Sequence, residues 1–404
     1  VLIAAIIILI LNGTFHWLIE RNLTYPPVML SALWVFLMVL AFSASGYESV
    51  SGTTVVVYVA GLVGFGLGSL IGLVQPARFA QNTSRTPRNG GHIGPFVGVA
   101  VIGIGVLPLL LIRMFTASAT LGISNPLLAF RLANSSGDGP GLGAFSYVIA
   151  WMTFAAVAAF ALYGGDKKRR GLVVLLFIVA LIYQILSASR TGVGILLFSA
   201  ACVSAVSRRR IPIKLMLLAG GGFLALFLGV ALVLGKTGVQ HLTGTSSLVS
   251  MLHMVRHYLI SGIVAFDQVV ADPTPFEGGF HSLRFFSIVA NVFGAGIEVP
   301  DLVLEYVMTP YPTNVYTMFF PSYVDFGLAG VVVYGVLLGW TCCLLYRWAQ
   351  NGSLIGTALF GLALAKLLIS GITEHFLVSV SYWVQATLVF YLLLGRGRRI
   401  RSHG

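Results

Sequence analysis

Arg131, Arg190, Arg256 and Arg284 are the residues of this chain best suited to hold a ligand, because charge is scarce around them: only 9% of the 404 residues are charged. A guanidinium presents a planar fork of donors that matches phosphate oxygens. Four of them on one side of a protein suit a shared polyanionic ligand. Arg190 is the most informative, as the only charge of a short hairpin, SASRTG at 187–192. Around it Ser187, Ser189, Thr191 and Gly192 add donors and a backbone open to close approach. Arg284 stands three residues after His281, a spacing that predicts both on one helical face. His253, Arg256 and His257 fall close together on successive turns of another amphipathic helix. Each arginine also has a structural alternative, in which it reaches a lipid phosphate or backbone carbonyls. Arg113, nearer its helix end, fits that alternative best.

The elements that must position these residues are membrane spans. A chain that is 57% hydrophobic, with a mean hydropathy of +0.94, cannot keep a soluble surface. Apolar runs fall near 1–19, 28–43, 54–74, 96–116, 142–163, 171–187, 191–206, 213–235, 327–346, 353–372 and 377–395. Each is long enough to cross about 30 Å of hydrocarbon as a helix, and none alternates with the period of two that barrel strands show. The first run lacks the charged flank and cleavage site of a signal peptide and is expected to span. The fold class expected is therefore all-α, a polytopic bundle of about 11–12 spans.

Orientation follows from the basic residues. If the spans alternate, one side collects Arg21; Arg78, Arg85 and Arg88; Lys167 to Arg170; Arg208 to Arg210 with Lys214; Arg347; and the tail from Arg396 to Arg401. That side is expected to be the cytoplasm, with the C-terminus in it. The formal charge of +12 is then a topology signal that needs no nucleic acid as partner, only anionic lipid headgroups. Cys202, Cys342 and Cys343 lie inside apolar runs without metal or disulfide spacing and read as packing residues.

The opposite side carries the remaining polar segments. Ser43 to Thr53 holds one acid, Glu48; Thr116 to Gly141 holds Arg131; a short turn holds Glu374 and His375. The longest segment, about ninety residues, exceeds what a connection needs and is expected to be a partly helical subdomain. These features divide the chain into 1–235 with eight spans, 236–326 as the long loop, and 327–404 with three spans and a basic tail. Lys366, inside the tenth span, needs an acid or a carbonyl as partner.

The S-x-S-R-T-G hairpin, the large loop, and the run T-N-V-Y-T-x(7)-D-F-G-x-x-G at 313–330 together resemble bacterial oligosaccharide repeat-unit polymerases, the O-antigen polymerases of the Wzy type. PPVMLSALW at 26–34 is similar to that family's second helix. The resemblance implies a C-type glycosyltransferase fold in a bacterial inner membrane, working at the periplasmic face. It implies transfer of a growing glycan from undecaprenyl diphosphate to the terminal hydroxyl of a new lipid-linked repeat unit, with a chain-length regulator as a further partner. No cofactor and no metal is expected: metal-dependent relatives place paired acids in the first external loop, and a lone Glu48 makes a poor divalent-cation site.

Arginine must then stabilise the departing diphosphate, with Arg190, Arg256 and Arg284 as catalytic candidates and Arg131 as a fourth contact. His281 is the candidate base that takes the acceptor proton, with His257, Glu305, Asp325, Glu374 and His375 as alternatives. Asn314 and Tyr316 are placed to bond sugar hydroxyls, and Tyr311 or Tyr323 to stack on pyranose rings. Asp325 is assigned either to substrate or to the cap of the ninth span. An O-antigen ligase is the nearest rival, although ligases usually carry a histidine immediately before the asparagine that here follows Thr313. A transporter or flippase fits less well, because no internal repeat is evident.

Overall fold

The computed structural model describes residues 1–44, 46–47, 49–75, 93–136, 141–208, 212–233, 247–271, 278–301 and 304–395. Glu48, Lys236, the basic residues Arg78, Arg85, Arg88, Arg209 and Arg210, and the tail from Arg396 lie outside the described residues. Within them the chain is helical apart from one small hairpin. All eleven apolar runs are helices: α1 (Leu2–Glu20), α2 (Pro26–Phe42), α3 (Gly52–Val74), α4 (Gly94–Leu121), α6 (Phe145–Tyr163), α7 (Arg170–Leu186), α8 (Arg190–Arg208), α9 (Ile213–Val233), α12 (Phe320–Gln350), α13 (Leu354–Leu368) and α14 (Val380–Leu394). Seven of these are long and apolar enough to cross a membrane alone, and α2, α7, α13 and α14 are shorter apolar helices. This is a multi-pass helical membrane protein. Three further helices, α5 (Pro126–Ser136), α10 (Ser247–Ala271) and α11 (Arg284–Val292), lie in the connections, with an antiparallel hairpin of β1 (Val307–Thr309) and β2 (Tyr311–Thr313).

Burial is sorted as hydrocarbon requires. Isoleucines and leucines of α1 and α4, such as Ile3, Leu11, Ile102 and Ile112, are exposed, while Thr54, Ser69, Thr153 and Gln184 are buried and point inward. An apolar side chain gains nothing by leaving lipid, so small and polar residues take the helix contacts.

The chain forms two compact units. The first comprises Val1–Phe79, Met251–Arg347 and Lys366–Trp383. In it α1, α2 and α3 pack on one another, and Trp34 of α2 lies fully buried between Tyr58 and Phe319, its indole N–H donating to Ser370 at 3.2 Å. The glycines of α3 at 61, 64, 68 and 72 form a stripe on one face. A Cβ on Gly64 would stand 3.0 Å from the Val332 carbonyl, and one on Gly68 would overlap the Val336 carbonyl. Equivalent clashes join Gly335 to Gly61 and Gly339 to Phe65. The register climbs in step on both helices, so α3 and α12 run parallel at backbone contact, the small-xxx-small arrangement of membrane helices. Gly68→Ala is expected to cost about 1–3 kcal/mol through overpacking, read as a lower melting temperature in detergent. Gly220→Ala on α9, where nothing lies within 4 Å, serves as the control. Equal melting of the two variants would remove this contact from the account.

The second unit comprises Ala80–Ser250, Trp348–Ala365 and Val384–Gly404. Here α4, α6, α7 and α8 pack together and α9 lies against α8. Two of its buried polar side chains pair inside it: Gln184 donates to Thr153 at 2.9 Å and the Tyr183 hydroxyl to the Gly103 carbonyl at 2.8 Å.

Helix α12 is broken at Gly327, whose φ of 64° and ψ of −153° only glycine adopts without strain. The helix therefore begins seven residues before the apolar run does. Those residues carry Pro321, Ser322 and Asp325, which hydropathy alone assigns to the preceding loop.

Candidate functional site

A small open cleft of about 60 Å³ lies in the first unit, lined by His281, Arg284, Asp301, Tyr316, Phe320 and Glu374, with Thr317 and Thr373 beside them. Four residues singled out in the sequence, His281, Arg284, Tyr316 and Glu374, thus meet in one cavity although up to 93 positions separate them.

Asp325 explains how the first two are held. It is 1% exposed, and its two carboxylate oxygens accept the backbone N–H groups of His281 at 3.1 Å and Ser282 at 2.6 Å. Its own carbonyl accepts from the N–H of Gly278. The turn formed by 278–283, with Gly278 and Gly279 at positive φ, is wrapped around this one side chain. Asp325 thus braces this turn with its side chain instead of capping a helix that starts at 327.

Arg284 opens α11, with His281 in the turn before it rather than on the same helix. The Arg284 Nε donates to the Pro300 carbonyl at 2.8 Å, which fixes the plane of the guanidinium beside the cleft. Partial burial lowers its pKa and the Asp301 carboxylate opposes that shift; an arginine stays charged under either. The His281 ring stands edge-on to Phe280 and Phe320 at 5.3 and 5.5 Å.

Tyr316 contributes a ring more than a hydroxyl. Its O–H donates to the Glu305 carbonyl at 3.2 Å and its ring packs on Phe320 at 4.4 Å. Burial, with Glu305 nearby, pushes its pKa up, so it remains a neutral phenol. Asn314, in the stretch after β2, is half-buried and is not among the cleft-lining residues.

The floor of the cleft is a turn organised by Glu374. Its carboxylate accepts the hydroxyl of Tyr334 at 2.8 Å and the backbone N–H groups of Phe376, Leu377 and Val378. With these four donors on it, the carboxylate braces the turn. Lys366 supports the same turn. It finds a carbonyl and not an acid as its bonded partner, donating to His375 at 3.3 Å, with its ammonium 3.6 Å from the ring centre of Tyr382 and 4.9 Å from that of Trp383. Burial and the Lys366 charge hold the His375 imidazole well below its usual pKa, hence neutral. Of the lining residues, Asp301, Thr317 and Thr373 had no sequence signal beyond, for Thr317, its place in the TNVYT run.

Arg256 and His257 belong to a second cluster in the same unit. The Tyr47 hydroxyl lies 3.2 Å from His257 Nδ1, Arg256 sits over the Tyr47 ring at 5.7 Å, and Tyr311 meets His257 edge-on. Burial lowers the His257 pKa and pushes Tyr47 up to about 12 against the opposing charge of Arg256. Ten residues along α10, Asp267 accepts from both the N–H and the hydroxyl of Ser51, at 2.9 and 2.7 Å. Tyr47 and Ser51, ahead of α3, are thus both held against α10. The hairpin docks on the same helix, through Tyr311 on His257, Thr313 on Ser261 and Met308 on Gln268.

Arg131 and Arg190 lie in the second unit. Arg131 donates to the Ala188 carbonyl at 3.1 Å and so supports the 187–192 hairpin, in which Ala188 has a φ of 52°. Arg190 begins α8, 9% exposed, its guanidinium 4.8 Å from the ring centre of Phe227. The hydroxyls expected to cradle an anion serve the local backbone: Ser187 donates to the Gln184 carbonyl and Ser189 accepts from the Gly192 N–H. Arg113 bonds the Gly141 carbonyl, as its structural alternative requires.

Among known proteins, no curated protein and no solved structure matches this chain. A family model described as "Putative O-antigen polymerase" matches residues 22–383. That span runs from α2 into the start of α14 and contains the whole cleft with Arg131, Arg190, Arg256 and Arg284, and on it the chain belongs to the O-antigen polymerase family.

Proposed function

We propose that this protein is a polysaccharide polymerase of the inner membrane, with its cleft at the periplasmic face and its C-terminus in the cytoplasm. It moves a growing glycan from undecaprenyl diphosphate to a new lipid-linked repeat unit. The observation that carries this reading is the meeting of His281 and Arg284 in one cleft with the ring of Tyr316, in a chain whose family acts on lipid-linked oligosaccharide.

The acceptor hydroxyl attacks the anomeric carbon of the donor sugar, and the bond from that carbon to the diphosphate oxygen breaks. The diphosphate leaves with the electron pair, and its charge grows where the Arg284 amines lie. His281 takes the hydroxyl proton. Tyr316 and Phe320 supply apolar surface for a sugar ring, and Thr317 and Thr373 supply hydroxyls. Arg190, Arg131 and Arg256 are read as further contacts to the anionic and sugar parts of the two substrates, and Asn314 as a donor to the acceptor. A chain-length regulator is a partner of the same reaction.

The test is complementation of a bacterium that makes the matching repeat unit and lacks its own polymerase. The expected result is a restored ladder of long chains on lipopolysaccharide. If the host carrying the gene still shows only a core with a single repeat unit, while the gene restores long chains in a host that lacks its ligase and shows a bare core, the protein is a ligase and the polymerase reading fails.

A further inference from the structure

Helix α11 is amphipathic with its faces reversed. Arg284, Ser287 and Asn291, spaced by three and four, form its polar stripe, and all three are half-buried. Asn291 spends both ends of its amide on the protein, donating to the Ile297 carbonyl and accepting from its N–H. The apolar arc points away from the protein: Phe286 is 59% exposed, Val292 79% and the following Phe293 85%, with Ile288 and Val289 beside them. No residue of this helix is buried. From Phe285 to Ile297 there is no charged residue. In water such an arrangement discards the burial of several large side chains, each worth about 1.5–3 kcal/mol.

The place of the helix says what covers that arc. Its leading turn is hydrogen-bonded at Gly278, His281 and Ser282 to Asp325, two residues before the break from which the long span α12 continues. Arg284 therefore starts within one turn of the rim of a membrane span. Phe326 and Leu328, on either side of the break, are exposed apolar residues of the same kind. A nine-residue helix is about 13 Å long, the scale of an interfacial helix lying in the headgroup region.

We infer that α11 and the loop to Ile297 lie in the lipid at the end of α12, with the arc from Phe285 to Phe293 in the acyl boundary and Arg284 at headgroup depth. The occupant of the arc is bilayer lipid. The cleft then opens at the level where a lipid's phosphate lies. The inference rests on the multi-pass architecture and stands apart from glycosyl transfer.

The test uses the full chain in liposomes, with Cys202, Cys342 and Cys343 changed to alanine and a nitroxide placed in turn at F286C, S287C, V289C and V292C. Oxygen, which partitions into lipid, should collide severalfold more with the labels at 286, 289 and 292 than a water-soluble nickel chelate does, and the label at 287 should be shielded from both. Dominance of the nickel chelate at 286 and 292 means water, and low collision with both reagents there means a protein cover, such as a second copy; either overturns the inference. As a check free of substitutions, a lipid carrying a diazirine on its acyl chain should label the peptide 285–297 of the unaltered protein. Absence of that label, with the spans labelled, also overturns it. Neither readout depends on polymer being made.

Discussion

Arg284→Ala is expected to reduce polymer formation by about 10²–10³-fold, the usual loss when one fixed donor is removed from a developing anion. The effect should fall on turnover more than on KM for the lipid-linked donor, because the charge it meets is largest after the sugar to diphosphate bond begins to break. Three features make the residue hard to replace. Its Nε is tied to the Pro300 carbonyl, which sets the plane of the fork. Its position at the first residue of α11 is set by the turn around Asp325. Partial burial within the cleft strengthens whatever charge pairing it makes. Arg284→Lys keeps the charge but loses the tie to Pro300 and the planar pair of donors, so it should recover only a small part of the loss. Rates measured on lipid-linked repeat units with purified protein, at matched amounts and matched melting temperatures, decide the matter. An alanine variant within a few fold of the parent would place the leaving diphosphate elsewhere.

The spans were legible because hydrocarbon imposes a length and a composition that any window can read, and all eleven runs became helices. What lay between them was legible only in part. Nothing in the sequence named α12 as the partner that the glycines of α3 make room for, since that depends on a register between helices more than 250 residues apart. The spacing of His281 and Arg284 suggested one helical face. The two are brought together in another way, across a turn and a helix start, by a carboxylate 44 residues from His281. Lys366 shows the same limit: a buried ammonium demands a partner, but the choice of the His375 carbonyl and two aromatic rings follows from a turn that Glu374 builds. Long-range hydrogen bonds are what local pattern does not encode. The reversed face of α11 was hidden for a different reason, because periodicity identifies an apolar arc and says nothing of whether it faces protein or lipid.

Asp325→Asn carries the second large effect, expected as a fall in turnover of about 10- to 100-fold, since displacement of reacting groups by as little as 1 Å costs about that much. The aspartate accepts two backbone N–H groups with its two oxygens. Asparagine has the same shape but only one accepting oxygen; its amide nitrogen would be pressed against an N–H with the same polarity. One of the two bonds is lost and one N–H is left buried and unpaired, at a cost of about 1–3 kcal/mol. The turn can relieve that clash only by moving away, and His281 and the start of α11 move with it. Asp325 touches no reacting atom in this account and acts as a positioning residue, so the pattern matters more than the size of the loss. KM for the lipid-linked donor should change little while turnover drops, and Asp325→Glu, which restores two accepting oxygens on a longer arm, should recover part of the rate. A role limited to stability predicts instead less folded protein with normal turnover per folded molecule. That result, or a variant with the parent's turnover, would detach Asp325 from the geometry of His281 and Arg284.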